Sequence, residues 1–270
     1  GAIVIGVPAG TMVAAAADWR ATFLCVAGLA ALAAIGVLAL LPRLAGIAAI
    51  GLRERLAVGR RPDVLALLAL TALALCGAFA INTYVGVLIE KALGIGAKGL
   101  AGVLMALGLV SFLGNLLGGY GADRWNRERF LAAILAVLVA SFALLSFGAE
   151  KGGLGGDAAI LVGLAFWGLF GWAFPSTQQA RIVTLDPALA PITLSLNTSA
   201  IYFGAAGGSL LGGFAIRQWS IAAIGWAGAL CEAAALVLLV LTSVQIGSTR
   251  RAKAEPSACP SERPAKTAAA

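Results

Sequence analysis

The chain has 270 residues, of which 61% are hydrophobic and 11% charged, with a net charge of +7 and no histidine. Soluble domains carry about 25% charged residues, and so few polar groups cannot cover a water-exposed fold. The lack of imidazole also removes the commonest metal ligand and the commonest general base.

The hydrophobic residues fall in blocks long enough to cross a hydrocarbon core about 30 Å thick. Inside that core each backbone N–H and C=O needs an internal partner, so a spanning block is a helix or a barrel strand. Ten-residue alternation is absent from the sequence, so the blocks predict helices and the fold class is an all-α polytopic membrane protein. In chain order, spans are expected near 1–17, 19–42, 64–89, 98–119, 130–148, 157–180, 191–216 and 220–246. The first block starts at Gly1 without the basic lead of a signal peptide. It is barely long enough to span at about 1.5 Å per residue. The expectation is that the natural chain continues upstream.

Segment 43–62 breaks the apolar pattern. Arg43, Arg53, Glu54, Arg55, Arg60 and Arg61 alternate with Ile47, Ile50, Leu56 and Val58, which predicts a short amphipathic helix on the membrane surface. Beyond about residue 247 the chain is Ser, Pro, Lys, Arg and Ala, and reads as a disordered tail. Cys25, Cys76, Cys231 and Cys259 are widely separated with no CxxC, and read as small core residues rather than a disulfide frame or zinc site.

Basic residues set the orientation. With 43–62 in the cytoplasm, one side receives Arg43, Arg53, Arg55, Arg60, Arg61, Arg124, Arg127, Arg129, Arg181 and the basic residues from Arg250 to Lys266. The other receives only Arg20, Lys91, Lys98, Lys151 and Arg217. The positive charge thus reflects loops and a cytoplasmic C-terminus at an anionic inner leaflet, and calls for no nucleic-acid partner.

The chain also echoes itself. Gly6-Val7-Pro8-Ala9-Gly10, then Trp19, then a span with Gly28 is matched by Gly204, Gly207, Gly208, Gly212 and Gly213, then Trp219, then a span with Gly228. Two parallel repeats joined by the basic segment are expected: 1–42 as the last two helices of a first half, 43–62 as linker, 63–246 as a complete six-helix half and 247–270 as tail.

Four patterns together resemble the major facilitator superfamily, in particular its twelve-span drug and sugar (arabinose-type) efflux antiporters. Gly119-Tyr120-Gly121-Ala122-Asp123-Arg124-Trp125-Asn126-Arg127 is similar to the G-x-x-x-D-R-x-G-R signature between cytoplasmic helix ends, with Asn126 where glycine is usual and Glu128 where a base is usual. Gly6-Val7-Pro8-Ala9-Gly10 followed by Trp19-Arg20-Ala21-Thr22-Phe23 resembles the antiporter motif of the fifth helix and the start of the sixth, with Val7 where glycine is usual. Ser195-Leu196-Asn197 with Gly204, Gly208 and Gly212 resembles the eleventh helix, and Pro175 with Gln178 and Arg181 the end of the tenth.

The resemblance implies a partial major facilitator fold, about eight spans of twelve, lacking its first four helices. It implies proton-coupled export of a small organic solute by alternating access, as a monomer in the bacterial inner membrane. The proton gradient would supply the energy, and neither a cofactor nor a metal would be needed. Gly119, Asp123, Arg124, Arg127, Gly6, Pro8 and Gly10 become gating or conformational residues. The small-x-x-x-small spacing of Gly204, Gly208 and Gly212 also suits plain helix packing, and Asp123 with Arg124 also suits a solvated basic loop.

Polar groups inside spans mark pathways. Asn82, Tyr84, Trp167, Phe174, Gln178 and Asn197 are the candidate cavity set, since aromatic surface with a few amides suits an amphipathic organic ligand. Helix packing explains each of them singly. Glu232, midway along the last span, costs about 3 kcal/mol to insert as a charge. It must face protein or water, or hold a proton, and reads either as a proton site or as a carboxyl bonded between helices. Gly94-Ile95-Gly96-Ala97-Lys98-Gly99 fits a dinucleotide motif but follows no strand, Asn197-Thr198-Ser199 lies inside a span, and no nucleophile–base pair occurs, so an enzyme is not expected. A membrane sensor or scaffold without transport, or a truncated non-functional fragment, stand as alternatives.

Overall fold

A computed structural model of the chain describes residues 13, 18–40, 51–185 and 187–254. These residues form helices α1 (Trp19–Leu40), α2 (Leu52–Gly59), α3 (Pro62–Asn82), α4 (Val85–Leu93), α5 (Ala97–Arg124), α6 (Arg127–Lys151), α7 (Gly153–Leu185), α8 (Ala190–Gln218) and α9 (Ala223–Ala254). Seven of them, α1, α3 and α5–α9, are long and apolar enough to cross a membrane. The expected 1–17 span lies outside the described residues apart from helical Val13, as does 43–50 of the amphipathic segment; α2 occupies part of its remainder.

Local chemistry explains several boundaries. α3 opens on Pro62 and Asp63. Proline lacks the N–H that a first turn leaves unused, and an acid there complements the positive helix end. Arg61 holds the Asp63 carboxylate at 2.7 Å. Gly94 ends α4 with φ 62°, the left-handed cap that glycine adopts without steric cost. Gly152 and Gly153, both with positive φ, fold α6 and α7 into a tight hairpin.

Three expectations are corrected. The 64–89 span is broken: α3 stops at Asn82, and Tyr84 N–H bonds Ile81 O three residues back rather than four. Thr83 Oγ1 competes for the Phe79 carbonyl at 2.9 Å, and Tyr84 OH reaches across to Ser209 O at 3.0 Å, so local back-bonding and a distant anchor stop the helix. Gly119–Arg124 is not loop but the last turns of α5, leaving only Trp125 and Asn126 as connection. The Asn126 side chain accepts from Arg129 N at 3.0 Å and caps α6, so asparagine stands in the expected glycine position because a helix starts there. Asn126→Ala is expected to cost about 1 kcal/mol, measured as a lowered denaturation midpoint in detergent. Finally, α9 runs to Ala254, past the expected end at 246; no proline occurs in 244–254 to stop it.

α5 packs on α7, α7 on α6, α6 on α9, α9 on α3, and α3 on α8, so apart from the α6–α7 hairpin these packed neighbours are not sequence neighbours. Glycines let the backbones meet. A Cβ on Gly114 or Gly118 of α5 would strike the Leu169 or Ala173 carbonyl of α7, and Gly225 of α9 sits on Ser146 and Phe142 of α6. Between the helices lies one apolar core that includes Leu70, Ile81, Leu131, Ile134, Leu138, Phe142, Leu145 and Ile160. Leu88 and Ile89 of α4 are buried in it too, so the short helix seals its end of the bundle. Large apolar side chains also cover the outside: Leu109, Phe112, Leu116, Tyr202, Phe203 and Leu210 on the bundle, and Phe23, Leu24, Leu29, Leu32 and Leu38 on α1. A surface of this kind fits hydrocarbon as its solvent.

Candidate functional site

Three polar features interrupt the apolar interior. The first joins α3, α7 and α8. Gln178 Nε2 donates to Thr71 Oγ1 at 3.0 Å and to Leu67 O at 3.4 Å. The Thr71 hydroxyl lies 2.7 Å from Asn197 Oδ1 and 3.2 Å from Leu67 O, the carbonyl one turn back. Thr71, Gln178 and Asn197 are each buried. Gln178 Oε1 has no hydrogen-bond partner, so the knot keeps one open acceptor for a donor group. The sequence reading named Gln178 and Asn197 but missed Thr71, the residue that joins them.

The second is Glu232 of α9, fully buried, with neither carboxyl oxygen hydrogen-bonded. It occupies a slot where α9 crosses α3. A Cβ built on Gly77 would lie 3.1 Å from Glu232 Oε1 and 2.8 Å from Gly228 O, so only glycine leaves the carboxyl room. A buried carboxyl without partners is costly. No hydrogen bond ties it to a neighbouring helix among the described residues.

The third lies at the α5–α6 turn and the end of α7. Arg181 is buried, with Nη2 3.9 Å from Glu128 Oε1, while its Nε and that of half-buried Arg127 find no partner. Glu128, where the resemblance leads one to expect a base, thus supplies the nearest counter-charge to Arg181. Asp123 is exposed and makes no ion pair among the described residues. Arg124 lies over the Tyr120 ring, 5.6 Å from its centre. Gly119 has open space around it.

The remaining candidates are scattered. Asn82 is exposed at the end of α3, and Tyr84 is half-buried against α8. Trp167 and Phe174 are buried in the apolar core, Trp167 edge-on to Phe142 at 6.3 Å with its indole over Gly171. Gly204, Gly208 and Gly212 line the seam of α8 on α3, facing Ala72, Cys76 and Ala80. Thr83 and Ser209 share a hydrogen bond of 2.8 Å beside the α3 break. Gly6, Pro8 and Gly10 lie outside the described residues. No cluster of three or more metal-ligating side chains occurs among the described residues.

Comparison with known proteins gives two findings. Residues 1–188 match the family model of the Major Facilitator Superfamily. Over 239 residues the chain is 30% identical to YbcL of Bacillus subtilis (strain 168), described as an uncharacterized MFS-type transporter. The alignment takes in 88% of this chain and 60% of that protein, so the chain spans about three fifths of its relative's length.

Proposed function

We propose a transport function on one premise: this chain belongs to the Major Facilitator Superfamily. It is a multi-pass membrane protein of a transporter family rather than an enzyme family. Our reading is a secondary active transporter of the drug and sugar efflux branch. It exports a small organic solute against protons by alternating access, in the bacterial inner membrane with its C-terminus in the cytoplasm, and acts as a monomer. Segments 1–42 and 63–246 belong to two halves linked by 43–62, and the halves rock about a midplane site.

The observation that carries the reading is Glu232, a carboxyl buried in mid-span without a hydrogen-bond partner. In this reading it takes up and releases the coupling proton. The knot of Thr71, Gln178 and Asn197 supports a polar contact for the solute, with Asn82, Tyr84, Trp167 and Phe174 as further cavity residues. The charged end supports a cytoplasmic gate: Asp123, Arg124 and Arg127 with Gly119, together with the Arg181–Glu128 pair, exchange partners as the halves move. In this reading Gly6, Pro8 and Gly10 serve as conformational residues of the other half.

The test reconstitutes the chain in liposomes with an imposed pH gradient and follows ethidium and radiolabelled arabinose. Glu232→Gln is expected to abolish gradient-driven movement while the protein still inserts and folds; equal movement with glutamine removes the proton role. Asp123→Asn is expected to slow transport severalfold at unchanged insertion, read as initial rate against the amount of protein in the membrane. If neither probe moves with the unmutated chain, the transport reading fails for this chain.

A further inference from the structure

Cys76 of α3 and Cys231 of α9 meet beside the Glu232 slot, with their sulfurs 3.9 Å apart. The contact is built by the crossing of the two helices. Gly77 and Gly228 touch backbone to backbone there, since a Cβ on either would lie 2.8–3.0 Å from the other's carbonyl oxygen. The ideal Cβ position on Gly77 is also 3.2 Å from Cys231 Cβ. The cysteines next to that crossing are therefore held on closely spaced backbones. Both are half-buried and neither is bonded to another cysteine, so a small neutral molecule dissolved in the bilayer can reach them. Gly207 of α8 leaves space on the far side of the Cys76 sulfur, 3.8 Å from its own ideal Cβ.

We propose that Cys76 and Cys231 form an oxidisable dithiol, a modification site for a small hydroperoxide, whose disulfide ties α3 to α9. A disulfide needs its sulfurs about 2.05 Å apart, so each sulfur moves by roughly 1 Å, within reach of rotation about the Cα–Cβ bonds. The chemistry balances with hydrogen peroxide. One thiol takes an oxygen from the O–O bond to become a sulfenic acid, releasing water. The second thiol displaces that oxygen as another water and forms the S–S bond. Two S–H groups are oxidised and one peroxide is reduced. The tie closes a long loop, since the two cysteines stand 155 residues apart in sequence, and it fixes the crossing in which Glu232 is wedged. It stands independently of the transport reading.

The test uses the full chain in membranes with Cys25→Ala and Cys259→Ala, which leaves the pair as the only thiols, and a protease site inserted at Gly152, the connection between α6 and α7. After treatment with hydrogen peroxide and cleavage, the two fragments are expected to stay joined on a non-reducing gel and to separate with dithiothreitol. The intact chain should lose the mass of two hydrogens, and its unfolding midpoint should rise and fall back on reduction. Alkylating the thiols first with N-ethylmaleimide should prevent all three, without relying on a cysteine variant that may not fold. Fragments that separate after peroxide, from a chain that still shows its cooperative unfolding, would overturn the assignment.

Discussion

Gly208→Leu is expected to prevent α8 from docking on α3, with a large loss of stability. A Cβ at this position falls on the Cys76 carbonyl and lies 2.9 Å from Ala80 N. Both are backbone atoms of a helix that cannot step aside. Gly204 and Gly212 repeat the contact one turn away on either side, each with an ideal Cβ 2.5 Å from a carbonyl of α3, so the helix cannot escape by sliding. Overpacking of this kind costs about 1–3 kcal/mol. Parting the seam also breaks the Thr71–Asn197, Tyr84–Ser209 and Thr83–Ser209 bonds, each contributing about 0.5–1.5 kcal/mol. The combined loss, about 2.5–7.5 kcal/mol, is a large fraction of the total stability of a small domain, about 5–15 kcal/mol. The check is size-exclusion profile and unfolding midpoint in detergent, with Gly119→Ala as the control, since nothing lies within 4 Å of its Cβ and its profile should be unchanged.

Thr71→Val is the second large effect expected. Valine keeps the shape and removes the hydroxyl, so Gln178 Nε2 loses its nearer acceptor and Asn197 Oδ1 its donor in a site closed to water. Stranding buried polar groups costs about 1–3 kcal/mol each, whereas hydrogen-bond couplings between membrane helices average only about 0.6 kcal/mol. The penalty for leaving the amides unpaired therefore outweighs the net strength of the bonds. That difference predicts a pattern as well as a size. Thr71→Ser should keep most of the stability, Thr71→Val should lose it, and Thr71→Val combined with Gln178→Leu and Asn197→Leu should regain a large part. Equal stability of Thr71→Ser and Thr71→Val in a denaturation series would show that packing, not the hydroxyl, holds the three helices.

Hydropathy alone located every long helix that the structure describes, because in a membrane chain the solvent selects span length directly. What it missed depended on contacts far along the chain. The α3 break at Thr83–Tyr84 is fixed by Ser209, 125 residues away from Tyr84, and an apolar window running through Ile81 and Val85 gives no sign of it. Thr71 was overlooked for the same reason. A threonine in an apolar helix ordinarily bonds its own preceding turn, as Thr71 also does, and only Gln178 and Asn197, 107 and 126 residues away, distinguish it. The Asp123–Arg124 motif was visible as residues, but its glycine-rich sequence suggests a turn, whereas here Gly118 packs on Ala173 of α7, Gly121 lies against Phe130 of α6, and the segment stays helical. Glu232 was legible as an anomaly because a lone acid in an apolar run costs about 3 kcal/mol to insert as a charge, but the Gly77 that leaves it room was not, as absent atoms leave no mark in a sequence.

The length of α7 has a consequence for the lipid. At about 1.5 Å per residue its 33 residues extend about 50 Å, well beyond a hydrocarbon layer of about 30 Å. The helix must tilt, or leave an end standing among the headgroups. Arg181, four residues from that end, and its counter-charge Glu128 are then expected near the bilayer surface, at a depth that follows membrane thickness. A thicker bilayer drags the pair toward hydrocarbon and tightens its hold, while a thinner one wets it and loosens it, at fractions of a kcal/mol per Å of mismatch. Acyl-chain length is thus expected to shift the charged end of the protein, an effect readable as a change in its unfolding midpoint between short- and long-chain lipid bilayers.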